Sequence, residues 1–113
     1  MLDFDYSSVK KRLSERKNIV ITTHKSPDGD ALGSSLALFL ALRSKHNVQV
    51  IVPNEFPYYL HWMPSAKNVI VYENDIINSN VLLDKADIIF CLDFNKTHRT
   101  YLMSDKLESS NAY

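Results

Sequence analysis

The sequence predicts an α/β fold, with three layers (α/β/α) around a mostly parallel sheet of about four strands. Two observations support this fold class. Short β-branched segments alternate along the chain with longer segments of helical periodicity, an order typical of βαβ units. The strand segments are also apolar almost throughout, as expected of strands that helices cover on both faces.

The amino-terminal half is predicted to contain two helices and two strands. In the first helix, at 6–13, apolar side chains share one face and Lys and Arg lie opposite. The strand at 18–23 is short and β-branched. The second helix, at 30–45, carries an apolar stripe formed by Leu32, Leu36, Phe39 and Leu40. The second strand, at 47–53, ends at a proline, which cannot donate a ladder hydrogen bond.

The carboxyl-terminal half continues the alternation. The aromatic segment at 55–64 is predicted to form a short helix or to be irregular. A strand at 68–72, a helix at 75–86 and a strand at 87–94 follow it. The tail at 98–113 is predicted to begin helically. Packing is the favoured role for the aromatic side chains Phe56, Tyr58, Tyr59 and Trp62. Cys91, in the last apolar strand, is expected in the core, whereas His46 and His61 are expected to face solvent or bond locally.

Composition narrows the class of protein. The 113 residues suffice for one domain or part of one, and 13 basic residues balance 13 acidic ones, so no overall charge favours nucleic acid or an anionic membrane. Cys91 is the only cysteine, which excludes an intrachain disulfide and fits a reducing cytoplasm. We find no signal-peptide pattern and no apolar stretch long enough to span a bilayer, and therefore expect a cytoplasmic protein without membrane contact.

The segment THKSPDGDALGSS concentrates polar residues directly after the first strand. It holds His24, Asp28 and Asp30, together with the only two glycines of the chain, Gly29 and Gly33. Gly29 is expected to permit a sharp turn between two ligands, and Gly33 a close approach of the helix to the sheet.

Ligands of an open parallel sheet bind beyond the carboxyl ends of its strands. His24, Asp28 and Asp30 follow the first strand and Asp93 ends the fourth, so the four side chains converge if these strands are neighbours. Three carboxylates beside an imidazole repel one another unless a cation neutralises them. Such a mixed ligand set suits Mn²⁺ or a similar metal better than Ca²⁺, with Mg²⁺ left open. Two ions about 3.5–4 Å apart would generate a hydroxide and clamp a phosphoryl group.

A simpler interpretation stays open for each residue. Asp30 could cap the following helix, and PDGD could form an ordinary turn. His24 and Asp93 could be hydrogen-bonded residues at strand ends. The amino terminus of the helix that begins near Asp30 could also bind phosphate without any chemistry.

The segment from His24 to Ser35, HKSPDGDALGSS, resembles the first motif of the DHH phosphoesterases, His-x-x-Pro-Asp-Gly-Asp-Ala. The segment CLDFN, which contains Asp93, is similar to their second motif. The similarity covers nearly the whole chain in order and spacing. It is closest to the branch of oligoribonucleases and 3′-phosphoadenosine 5′-phosphate phosphatases.

This resemblance implies a Mn²⁺-dependent hydrolase of phosphate esters in short oligonucleotides or phosphorylated nucleotides. It implies that His24 and Asp28 hold one ion, that Asp30 holds the other, and that Asp93 bridges or lies near both. Arg99, six residues after Asp93, is a candidate to bind a substrate phosphate.

The chain departs from the family in one respect. The Asp-His-His motif and the substrate-binding second domain do not occur within residues 1–113. We therefore expect the amino-terminal half of a DHH domain that binds metal weakly, hydrolyses little or nothing, and self-associates through an uncovered sheet edge or apolar face. Two alternatives stay open: a non-catalytic nucleotide- or phosphate-binding α/β module, and a small interaction protein derived from the enzyme.

Overall fold

A computed structural model describes residues 6–93 and 103–113. Its strands are β1 (Asn18–Thr22), β2 (Asn47–Val52), β3 (Ile70–Val71) and β4 (Ile88–Cys91). Its helices are α1 (Tyr6–Arg12), α2 (Gly29–Leu42), α3 (Ile76–Lys85) and α4 (Ser104–Glu108). The four strands form a sheet in the order β3-β2-β1-β4, and every pairing is parallel.

Helices lie on both faces of this sheet. Successive side chains of a strand point to opposite faces, so β1 contributes to two separate cores. Ile21 belongs to one buried cluster with Leu32 and Phe39 of α2. Val20 belongs to the other, with Leu83 of α3. The predicted three-layer fold with a parallel sheet is confirmed.

Several element boundaries differ from the predicted ones. Helix α2 begins one residue earlier than predicted, directly after its amino-terminal cap Asp28, and it ends at Leu42 and not at Lys45. Strand β3 has only two residues, because 3₁₀ turns occupy Ala66–Asn68 and Tyr72–Asn74 on either side of it. The predicted helical start of the tail falls largely in 94–102, outside the described residues, and α4 follows it.

The aromatic segment is only partly packed. Phe56 is buried as predicted, but Tyr58, Tyr59 and Trp62 are 86%, 64% and 75% exposed, so the packing prediction is wrong for these three. A 3₁₀ turn at Tyr58–Leu60 points Leu60 inward together with Phe56 and leaves the intervening tyrosines outside.

Three further side chains lie elsewhere than predicted. Leu40 is 43% exposed, because it lies at the margin of the α2 stripe. His46 is buried, and its Nδ1 accepts a hydrogen bond from the Lys17 backbone at 3.1 Å. Cys91 is exposed, because β4 is the edge strand of the described sheet. Neighbouring atoms still displace part of its water, and this desolvation raises the pKa of the Cys91 thiol.

The described helices include none with both the length and the apolar character needed to cross a bilayer.

Burial of the central strand predicts a large difference between two isoleucines. Ile21 is 0% exposed and Ile77 is 83% exposed. Ile21→Ala is expected to lower the free energy of unfolding by about 2–5 kcal/mol, because it removes buried methyl groups and leaves a cavity. Ile77→Ala should change it by less than about 0.5 kcal/mol. Urea unfolding of both variants measures this, and equal losses would contradict the described core.

Candidate metal centre

The pairing of β1 with β4 brings together two ends of strands that are distant in sequence. Their register pairs Thr22 with Cys91. Two hydrogen bonds extend the contact beyond it: the Leu92 backbone donates to the Thr22 carbonyl at 3.0 Å, and the Thr23 hydroxyl donates to the Leu92 carbonyl at 2.9 Å. His24 and Asp93 are therefore the next residues on two adjacent chain segments, and the strand adjacency on which the expected convergence depended is present.

His24 is buried and its ring is oriented by the backbone. Its Nδ1 lies 2.7 Å from the Lys25 carbonyl oxygen. A carbonyl oxygen only accepts, so Nδ1 carries the hydrogen, and in the neutral ring Nε2 presents a lone pair. This Nε2 lies 3.3 Å from Oδ2 of Asp93. A backbone bond that fixes one ring nitrogen and frees the other is typical of metal-binding histidines.

Asp28 has a structural role in addition to its charge. It is the N-cap of α2, and its Oδ1 accepts a hydrogen bond from the Ala31 backbone at 2.9 Å. The suggestion that Asp30 caps the helix is therefore wrong. A carboxylate has two oxygens with about four lone-pair positions, so capping leaves Asp28 with acceptor capacity for another partner.

Three of the predicted ligands form one cluster. His24, Asp28 and Asp93 each offer a donor atom, and these atoms lie within 4.8 Å of one another. His24 is buried, whereas the two carboxylates are exposed. Asp30 lies exposed in the first turn of α2 and is not a member of this cluster. Arg99, the candidate phosphate ligand, lies outside the described residues.

The glycines do not have the roles predicted for them. Neither Gly29 nor Gly33 has a positive φ, and a Cβ added at either would meet nothing within 4 Å. Both lie inside α2, where helical φ values suit any residue. Among the described residues the left-handed backbone occurs instead at Ser26, Ser65 and Asp93, with φ values of 53°, 67° and 61°; Ser26 and Asp93 flank or belong to the cluster, and Ser65 precedes a 3₁₀ turn. Strain of this kind at non-glycine residues is concentrated at functional sites.

Two supporting residues escaped the sequence analysis. Thr23 links β1 to the chain before Asp93, and Asn54 accepts a hydrogen bond from the Ser26 backbone. Both follow the carboxyl end of a parallel strand, so the rule that located the ligands was a signal for them as well.

Comparison with known proteins supplies independent information. Residues 18–112 match the model of the DHH family, N-terminal domain. The crystal structure of an exopolyphosphatase-related protein from Bacteroides fragilis superposes with a TM-score of 0.91 and is 43% identical. The match covers 94% of this chain but 32% of that one, so the chain spans about a third of its relative. Among curated proteins, no sequence matches.

Two substitutions separate the capping bond of Asp28 from the charge of its carboxylate. Asp28→Ala removes the cap and should lower the free energy of unfolding by about 1 kcal/mol, whereas Asp28→Asn keeps a capping oxygen and should lower it by only a few tenths. Thermal unfolding in the presence of a chelator measures both. Equal stability of the two variants would show that the bond to the Ala31 backbone contributes nothing.

Proposed function

The chain belongs to the DHH family, whose N-terminal domain model spans most of it, and we propose that it forms the metal-binding part of a phosphoesterase. The cluster of His24, Asp28 and Asp93 lies at the carboxyl edge of a parallel sheet, where open α/β proteins bind their ligands. This position favours a functional role for the cluster over a purely structural one.

One contact carries the proposal. Nε2 of His24 faces Oδ2 of Asp93 at 3.3 Å, while Nδ1 is committed to the Lys25 carbonyl. In the neutral ring, two lone pairs would point toward each other, which is unfavourable unless a second ring proton or a cation lies between them. The nearby carboxylate of Asp28 adds negative charge and so favours a cation at this point.

The donor set fits a divalent metal. One imidazole nitrogen and two carboxylates suit Mn²⁺ or a related first-row ion, and they also admit Mg²⁺. His24, Asp28 and Asp93 would hold the ion, and Asp30 in the first turn of α2 is the proposed ligand toward a second one. A bound divalent ion of this kind lowers the pKa of water and neutralises phosphate charge.

We propose phosphate esters of short oligonucleotides or phosphorylated nucleotides as substrates. The amino terminus of α2, a helix of 14 residues, lies beside the cluster and favours a phosphate through its partial positive charge. The likeness to an exopolyphosphatase-related protein favours polyphosphate as a second candidate. Both substrate classes present a phosphoryl group to the same edge of the sheet.

Self-association and low activity of residues 1–113 alone belong to the same proposal. Within the described residues, β4 pairs only with β1 and leaves one edge of the sheet open. An open edge offers unpaired backbone groups to a second copy of the chain. We expect the chain to bind metal but to hydrolyse phosphate esters slowly or not at all.

Metal binding is the first prediction of the proposal. Titration with Mn²⁺, followed by calorimetry or electron paramagnetic resonance, should saturate, and Asp28→Asn and Asp93→Asn should each weaken binding by at least about 10-fold, because each removes a charged ligand. Asp75→Asn is the matched control, since Asp75 is exposed and lies before α3. If Asp93→Asn binds Mn²⁺ with native affinity, Asp93 is not a ligand of the metal.

The alternative, a phosphate-binding module without chemistry, makes a different prediction. If the metal cluster holds the ligand, binding of 3′-phosphoadenosine 5′-phosphate should require Mn²⁺ and disappear in chelator. A module that uses only the amino terminus of α2 should bind it equally well in both conditions. Fluorescence or calorimetric titration under both conditions separates the two functions, and equal affinities would favour the module.

A further inference from the structure

The loop between His24 and Asp28 contains one residue in an unfavourable conformation. Ser26 has a φ of 53°, in the left-handed region that non-glycine residues rarely adopt. It also precedes Pro27, and a residue before proline is normally driven to extended conformations. Such a conformation persists only where neighbouring groups determine it.

Asn54 supplies contacts that hold Ser26 in place. The Ser26 backbone N–H donates to Oδ1 of Asn54 at 2.5 Å. The Asn54 Nδ2 group donates to the Ser26 hydroxyl at 3.4 Å. One side chain therefore contacts both the backbone and the side chain of the strained residue. A single amide group provides both the acceptor and the donor that this arrangement needs.

Asn54 is itself attached to a rigid part of the fold. It follows Val52, the fully buried last residue of β2, and the buried Pro53. Two residues later Phe56 is buried again, and the His61 ring stacks on it with 4.3 Å between ring centroids. The Asn54 backbone is thus fixed on both sides, so its side chain can impose a position on the more exposed loop.

We infer that Asn54 is a positioning residue for the metal cluster, an inference that rests on the function proposed above. Ser26 lies midway between His24 and Asp28, so its backbone angles decide how far apart these two ligands stand. Metal sites tolerate ligand displacements of only about 0.5 Å. Asn54 does not belong to the cluster itself and acts on it by fixing the loop.

The test begins with Asn54→Ala in the full chain, titrated with Mn²⁺. Loss of an outer contact of this kind should lower the affinity by roughly 10-fold. In metal-free protein the Ser26 amide should also exchange its hydrogen faster, because its acceptor is gone. Asn111→Ala is the matched control, since Asn111 is exposed and lines a cleft with Asp87 at the opposite end of the sheet. It should change neither measurement.

A second substitution distinguishes positioning from general destabilisation. Glycine adopts positive φ without steric cost, so Ser26→Gly should make the loop less dependent on Asn54. Asn54→Ala should then reduce the Mn²⁺ affinity by a smaller factor in the Ser26→Gly background than in the native one. An equal loss in both backgrounds would overturn the inference, because Asn54 would then act by a route other than the conformation of Ser26.

The remaining outcomes separate the inference from the proposed function. Native Mn²⁺ affinity in Asn54→Ala would overturn the positioning role while leaving the metal centre intact. If the native chain binds no Mn²⁺, the proposed function fails and Asn54 has no ligands to position. In that case the exchange rate of the Ser26 amide tests only whether Asn54 holds the loop. If the rate in Asn54→Ala equals the native rate, the inferred role of the contact between Asn54 and Ser26 is overturned as well.

Discussion

The parallel pairing of β1 with β4 is the constraint on which the candidate site depends. Hydrogen bonds continue past the last paired residues through Thr22, Thr23 and Leu92, so the two chain segments leave the sheet side by side. His24 and Asp93, 69 residues apart in sequence, become contacts for this reason. Strand β1 is buried on both faces, with Val20 and Ile21 in separate apolar clusters, and this packing holds the arrangement in place.

The loop after β1 combines stabilising and unfavourable features. Asp28 caps α2, which offsets part of the cost of an acidic residue beside Asp93. Ser26, midway between His24 and Asp28 in this loop, has a left-handed backbone. These features are consistent with a loop selected for the position of its side chains, since an ordinary connection between a strand and a helix requires neither strain nor clustered carboxylates.

Asp28 both caps α2 and belongs to the cluster of His24, Asp28 and Asp93, so an interpretation of the motif as a cap or turn alone is incomplete. PDGD is not simply a turn, because α2 begins at Gly29 within it, and the capping residue is Asp28 and not Asp30. Capping occupies Oδ1 of Asp28 and leaves the carboxylate charge in place. One carboxylate can therefore cap a helix and still bind a metal, so the interpretation of Asp28 as a cap does not exclude its interpretation as a ligand.

The α/β alternation, the parallel sheet and three of the side chains that cluster at its carboxyl edge, His24, Asp28 and Asp93, were predictable from the sequence alone. They were predictable because apolar periodicity and strand-end placement are local properties that the chain displays directly. Three features depend on contacts between distant segments: β4 is an edge strand with an exposed Cys91, Tyr58 and Trp62 face solvent, and Asp30 lies outside the cluster of three donors. The tertiary structure also decided that Asn54 holds Ser26, because a contact between two loops depends on the strand order and not on either segment alone.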